Sequence, residues 1–164
     1  MKNPQIQSFI DTIESLHSLT VLYSSFLKNT DVHKHFESEG VKLNSLYWLT
    51  AHIANCEDLL LGTALGKKGH EFEWLKKFDI GSTKDIKGEV AYPELVEIAK
   101  QIHIDCMHHL KSLTDEDLKK DNLIEFAIGK DKSYKAMIIH HIRHQGVHTG
   151  HLSTLCRLNR IKTF

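Results

Sequence analysis

The segment HHIRHQGVHTGHL, residues 140–152, decides most of what this sequence predicts about its fold and its site. It holds five of the 13 histidines in a chain of 164 residues, and they recur at steps of three and four residues. That repeat is typical of one face of an α-helix. With His144 set at zero, steps of about 100° per residue place His148 at about 40° and His151 at about −20°.

Apolar residues begin and end the same helix face. His140 lies at about −40° and His141 at about 60°, whereas Met137 and Leu155 both lie near 20°. We therefore expect a core-facing stripe with imidazoles in its middle. A buried polar group without a partner costs about 1–3 kcal/mol, and adjacent protonated imidazoles repel one another. A bound cation removes both costs, because it binds the neutral ring nitrogens directly.

His144 and His148 have the i, i+4 spacing with which two histidines of one helix bind a single metal ion. The alternatives are a surface pair, or core histidines satisfied by hydrogen bonds. His52, on another predicted helix, is the candidate third ligand, and its own alternative is a core histidine bonded to a carbonyl. Cys56, one turn further on, is a candidate fourth ligand. Glu57 points away from His52 on the angular count, so we expect it to contact a neighbouring helix.

Four segments carry helical periodicity. They run from about Pro4 to Leu27, Leu43 to Leu65, Pro93 to Leu113 and Ser133 to Leu158. Asn3 is the candidate N-cap of the first helix, and Gly66 is the candidate stop of the second. The charged stretch from Lys67 to Ala91 is predicted to be a crossover, with a short helix from Glu73 to Phe78. We predict an all-α four-helix bundle with one long crossover connection between the second and third helices, forming a single domain over residues 1–164.

The composition argues against two classes of protein, general nucleic-acid-binding proteins and membrane-spanning proteins. The 21 Lys and Arg residues balance the 21 Asp and Glu residues, which argues against a general nucleic-acid-binding protein. No apolar run is long enough to span a bilayer, and the first residues contain no apolar signal region. We therefore expect a cytoplasmic protein that is not bound to a membrane. Cys56, Cys106 and Cys156 each stand alone and are expected to be buried, reduced thiols.

The histidines outside the stripe and the second helix fall into two groups. His17 and His103 lie in predicted helices and can face the interior of the bundle. His33, His35 and His70 lie in linker-like stretches, so we expect them to be solvated.

Two motifs resemble those of DinB-like proteins. The stretch WLTAHIANCE, residues 48–57, is similar to their first motif, in which an aromatic residue precedes a histidine and an acidic residue follows five positions later. The stretch HIRHQGVHTGHL, residues 141–152, is similar to their second motif, in which HxxxH precedes a glycine-containing stretch and an apolar run. The resemblance covers essentially the whole chain, including the order of the helices and the long crossover.

The resemblance implies a four-helix bundle with an up-down-down-up arrangement and a divalent metal ion, usually zinc or nickel, held by three histidines. Carried over residue by residue, these ligands are His52, His144 and His148. It also implies a homodimer. The characterised activities include thiol S-transfer, in which a low-molecular-weight thiol attacks a small electrophilic substrate, as in stress response or detoxification.

The chain departs from the family pattern next to the second motif. Family members often have Arg or Gln near positions 149 and 151, where this chain has Thr149 and His151. His141 and His151 are the candidates for residues that contact the metal ligands without binding the metal themselves. His151 is also a candidate proton shuttle or alternative ligand.

A site of three neutral imidazoles leaves a divalent ion its full charge and an open position, which is typical of catalytic zinc. A thiol that binds such an ion loses its proton, whereas a bound water ionises near about pH 7 and supports hydrolysis. The alternatives to a transferase are therefore a metal-dependent hydrolase and a non-catalytic metal-binding stress protein. Solvent access distinguishes them, because an enzyme needs an opening over the free position of the ion.

Overall fold

Four long helices account for most of the computed structural model, which describes residues 3–79, 81–82 and 86–163. They are α1 (Pro4–Leu27), α2 (Leu46–Glu57), α3 (Tyr92–Ser112) and α4 (Tyr134–Leu158). α1 packs mainly on α4 and α2 mainly on α3, and contacts of α2 with α4 and of α1 with α3 close the bundle. The predicted all-α four-helix fold is confirmed. A hairpin of two short antiparallel strands, β1 (Glu37–Ser38) and β2 (Val41–Lys42), precedes α2.

The core lies between the four helices and is built from large aliphatic side chains. Its fully buried members come from every helix and from the end of the α2 region. They include Ile13, Leu27, Leu49, Leu61, Leu95, Ile102, Leu110, Met137 and Ile138. None of the described helices is long and apolar enough to cross a membrane.

The N-terminus of α1 is capped from another part of the chain. Pro4 is the first helical residue, as predicted, but the Asn3 side chain makes no cap hydrogen bond to α1. Instead, the Asp115 carboxylate accepts from the backbone N–H groups of Gln5 and Ile6, at 3.2 and 3.0 Å. Asn3 accepts from the Asp115 N–H at 3.4 Å and so helps to hold this loop. Asn3 therefore occupies the predicted N-cap position, but its side chain does not cap the helix, because an acceptor distant in sequence takes the free N–H groups.

The second helix is shorter than predicted. We expected one helix from Leu43 to Leu65, but α2 begins at Leu46, where Ser45 accepts from the backbone N–H of Trp48. The α-helix ends at Glu57 and continues as a π-helical turn and then a 3-10 turn. Gly66 does end the segment, with a φ of 93° that favours glycine.

His70 fixes the start of the crossover to two helical segments. Its backbone N–H and ring Nδ1 contact the two oxygens of Asp58, at 2.7 and 2.8 Å. Its Nε2 lies 2.9 Å from an oxygen of Asp105 on α3. The expectation that His70 is solvated was therefore wrong. Asp58 opens the π-helical turn, so its contacts with His70 lie at the point where the regular helix ends.

The crossover returns to α2 through a short 3-10 helix, Leu75–Phe78, which packs on it. This element lies within the predicted short helix from Glu73 to Phe78. Both Leu75 and Phe78 are buried. The crossover therefore brings a stretch of backbone next to the face of α2 that carries His52.

Candidate metal centre

The core face of α4 is displaced from the centre of the predicted stripe. Its buried positions spread from Met137 and Leu155, at about 20° from His144, to Thr149 at about 140°, so the middle of the core face lies near 80°. His144 itself is half-buried, and His151, on the far side, is exposed. The imidazole stripe thus runs along the margin of the core and not through its middle. Because of this displacement, one side of the His144 ring faces the bundle and the other faces solvent.

Three imidazoles meet at this margin. The Nε2 atom of His144 lies 3.0 Å from Nε2 of His52 and 3.1 Å from Nε2 of His148. His52 and His148 are buried, and their ring centroids are 4.7 Å apart. The structure therefore brings together the three residues that the family resemblance implies as ligands.

The hydrogen bond made by Nδ1 of His52 fixes the direction in which Nε2 of the same ring points. Nδ1 of His52 donates to the Phe78 carbonyl oxygen at 2.6 Å. A neutral imidazole has one N–H, so Nε2 carries a lone pair that points toward His144. This is the arrangement found around metal-binding histidines, whose other nitrogen donates to a carbonyl or carboxylate. Sequence reasoning missed Phe78 because a backbone carbonyl leaves no residue-type signal.

Hydrogen bonds between the rings cannot satisfy all three nitrogens. Nε2 of His144 carries either one hydrogen or one in-plane lone pair, yet it faces two other Nε2 atoms. It can therefore share a proton with His52 or with His148, but not with both. A cation that accepts all three lone pairs removes this conflict. The donor set thus fits a divalent ion that imidazole nitrogens prefer.

The charge state of the rings agrees with this fit. Burial, together with the neighbouring imidazole of His52, lowers the pKa of His144 to about 3. Burial and then His144 lower the pKa of His148 to about 3. Burial lowers the pKa of His52, although its bond to the Phe78 carbonyl opposes this. All three rings are therefore neutral at neutral pH, which is the form that binds metals.

The other histidines of α4 occupy different positions around this trio. Nδ1 of His151 lies 3.2 Å from Nδ1 of His148, so His151 contacts the outer nitrogen of a candidate ligand. His140 points along the helix surface, where its Nδ1 is 3.2 Å from Arg143. His141 is buried, and neither ring nitrogen has a hydrogen-bond partner among the described residues. Burial lowers the pKa of His141, and the charge of Glu57 opposes this.

Cys56 and Trp48 lie beside His52. The Cys56 sulfur is 3.8 Å from both ring nitrogens of His52, and it forms a possible metal-binding group with His52 and His144. Burial raises the pKa of the Cys56 thiol to about 12. An equal distance to both nitrogens places the sulfur beside the ring and not on the lone-pair axis of Nε2. The Trp48 indole stacks on the His52 ring at 4.5 Å and limits its rotation.

A second polar cluster lies on the other side of α2. Glu57 accepts from Nδ1 of His103 at 2.8 Å, which confirms the expectation that Glu57 contacts a neighbouring helix. Nε2 of His103 lies 3.3 Å from Glu14, and the rings of His17 and His103 stack at 3.5 Å and 5°. His17, Glu57 and His103 are close enough to form a metal-binding group. Both ring nitrogens of His103 already contact carboxylates, however, so we interpret this cluster as a hydrogen-bonded one.

Comparison of the chain with known proteins identifies a family but no similar curated protein. The family model that describes the DinB superfamily matches residues 19–152, a range that includes His52, His144 and His148. None of the curated proteins compared with the chain matches it significantly.

Proposed function

The chain belongs to the DinB superfamily, and on that premise we propose that it is a metal-dependent enzyme of the thiol S-transferase type. His52, His144 and His148 would bind one divalent ion, with zinc or nickel as the favoured metals. The observation that carries this proposal is the convergence of three neutral Nε2 atoms from two helices, at 3.0 and 3.1 Å. When bound, such an ion supplies Lewis-acid chemistry that lowers the pKa of a thiol or a water molecule.

The residues around the trio would orient it and connect it to solvent. The Phe78 carbonyl and the Trp48 indole hold the His52 ring in place. The exposed His151 contacts the outer nitrogen of His148 and can pass a proton to solvent. The half-buried side of His144 is where a small thiol and an electrophilic substrate would approach. A buried site with no such opening would favour a structural role instead.

A hydrolase is the second candidate, because water can reach the exposed side of His144 as well as a thiol can. The two reactions differ in what they consume, since only the transferase depends on an added thiol. A non-catalytic metal-binding protein is the third candidate, and it predicts metal without either activity.

Metal content is the first test. Untagged protein, purified and dialysed, should contain about one zinc or nickel ion per chain by elemental analysis. His144→Ala should remove most of it, because the Nε2 atom of His144 is the one that both other rings contact. His140→Ala is the matched control on the same helix and should retain the metal. Wild-type protein that cannot be loaded with either metal would overturn the proposal.

Thiol dependence is the second test. Metal-loaded protein should accelerate the conjugation of a cellular thiol to a fluorogenic electrophile, and a chelator should stop it. His148→Ala should lower the rate at least about tenfold, because that much is already lost when only a residue supporting a metal ligand is mutated. Hydrolysis of the same electrophile without added thiol would favour the hydrolase. Metal binding with no activity across a panel of thiols and electrophiles would favour the non-catalytic protein.

A further inference from the structure

A cavity of about 320 Å³ lies between α1, α2 and α3, away from the three-imidazole site. The α2 residues that line it, such as Ile53 and Glu57, lie about 100–160° around the helix from His52. Its volume falls in the range of small-ligand sites. Most of its wall is apolar and includes Val21, Ile53, Ala54, Val96 and Ala99. A ligand here would not reach His144, so this site is independent of the proposed reaction.

The inner end of the cavity carries a carboxylate that is only partly satisfied. Glu57 is 2% exposed and lines the cavity. Its Oε1 accepts from His103, whereas its Oε2 makes no hydrogen bond with any residue that the structure describes. His17 lines the same end, and its buried Nδ1 has no partner within the described residues. An apolar molecule that filled the cavity would leave both groups unsatisfied, which is costly.

The cluster at this end is negatively charged. Burial lowers the pKa of His103, but its hydrogen bonds to Glu57 and Glu14 outweigh burial and raise that pKa. One imidazolium therefore faces two carboxylates. Burial and then His103 lower the pKa of His17, so His17 adds no positive charge. A group that donates hydrogen bonds and carries positive charge suits this end best.

The outer part of the cavity has the opposite charge. Lys28 and Lys100 line it, and both are exposed. They disfavour a second cation and favour an acidic group at the far end of a ligand.

We propose that this cavity binds a small amphipathic amine, with its ammonium group on Glu57 and its apolar body between the three helices. The ammonium would donate to Oε2 of Glu57, beside the unpartnered Nδ1 of His17. An amine with a carboxylate at its far end, an ω-amino acid, matches the charges at both ends of the cavity.

Three matched probes test the head group: octylamine, 8-aminooctanoate and octanoate. Each is titrated into the isotope-labelled full chain, and binding is followed by NMR shifts of residues that line the cavity. Both amines should bind at least about tenfold more tightly than octanoate, because a charged hydrogen bond to Glu57 is available only to them. Equal affinity for octanoate, or no binding of any probe, would overturn the proposal.

Two variants test the site itself. Glu57→Gln keeps the side-chain shape but should abolish the preference for amines, whereas Glu116→Gln, an exposed carboxylate that pairs with Lys119 outside the cavity, should preserve it. Because Glu57→Gln also weakens the bond to His103, Ala99→Leu provides a second test that leaves the cluster intact. It places a larger side chain in the cavity wall and should remove the binding of both amines. Unchanged amine binding in a folded Ala99→Leu protein would contradict the proposal.

Discussion

His144 is the residue that joins the two parts of the candidate site, since its Nε2 is the atom that the rings of both His52 and His148 contact. The pairing of His144 with His148 was predictable from their spacing on a helix. The role proposed for His52 rests on the family resemblance, because a single histidine on a core face carries no spacing signal. Phe78 could not be predicted at all, since it acts through its backbone.

The low pKa values of His144 and His148 predict an acid-sensitive metal-free protein. Their pKa is lowered from 6.5 to about 3 in the folded chain, chiefly by burial. Between these values the unfolded chain binds more protons, so the free energy of unfolding falls as pH drops from about 6.5 toward about 3. Urea denaturation of chelator-treated protein across this range measures the effect.

Substitution identifies the groups responsible for that pH dependence. His144→Gln removes one lowered pKa, so its stability should fall less steeply with decreasing pH than that of the wild type. His33→Gln, at an exposed position, is the control and should follow the wild-type curve. Parallel curves for wild type and His144→Gln would show that the folded imidazole titrates normally.

At the scale of the helices, sequence periodicity predicted α1 and α4 closely, because the apolar residues of α1 and the histidines of α4 recur at steps of three and four residues. It did not predict the end of α2 at Glu57, where the apolar pattern continues to Leu65. Asp58, the first residue of the π-helical turn, is held by contacts with His70, twelve residues away. Local sequence cannot reveal such a contact, so the break was missed although the stop at Gly66 was found.

The cap supplied by Asp115 predicts a measurable contribution to α1. Asp115→Ala removes the acceptor for the N–H groups of Gln5 and Ile6. We expect the free energy of unfolding to fall by about 1 kcal/mol, as for other helix caps, in urea denaturation. Glu116→Ala is the neighbouring control, because the exposed Glu116 pairs only with Lys119 among the described residues. A loss of equal size in both variants would argue against a capping role.

At the scale of the whole molecule, the proposed ion would join α2 to α4. Zinc at about 100 times its Kd should therefore stabilise the folded chain by about 2.7 kcal/mol. For a chain of this size we expect the Tm to rise by roughly 5–10 °C in calorimetry. His144→Ala should show little or no rise, whereas His140→Ala should respond like the wild type. A rise of equal size in His144→Ala would place the stabilising ion elsewhere.

The hydrogen bond from His52 to the Phe78 carbonyl has a consequence for how this chain can diverge. The group that orients the ring belongs to the main chain, so most side-chain replacements along the crossover leave it in place. Mutation can therefore vary the chemistry of this segment without disturbing the imidazole beside it. Insertions and deletions are different, because they move the carbonyl itself. We expect the crossover of evolved variants to tolerate many substitutions and few changes of length near Phe78.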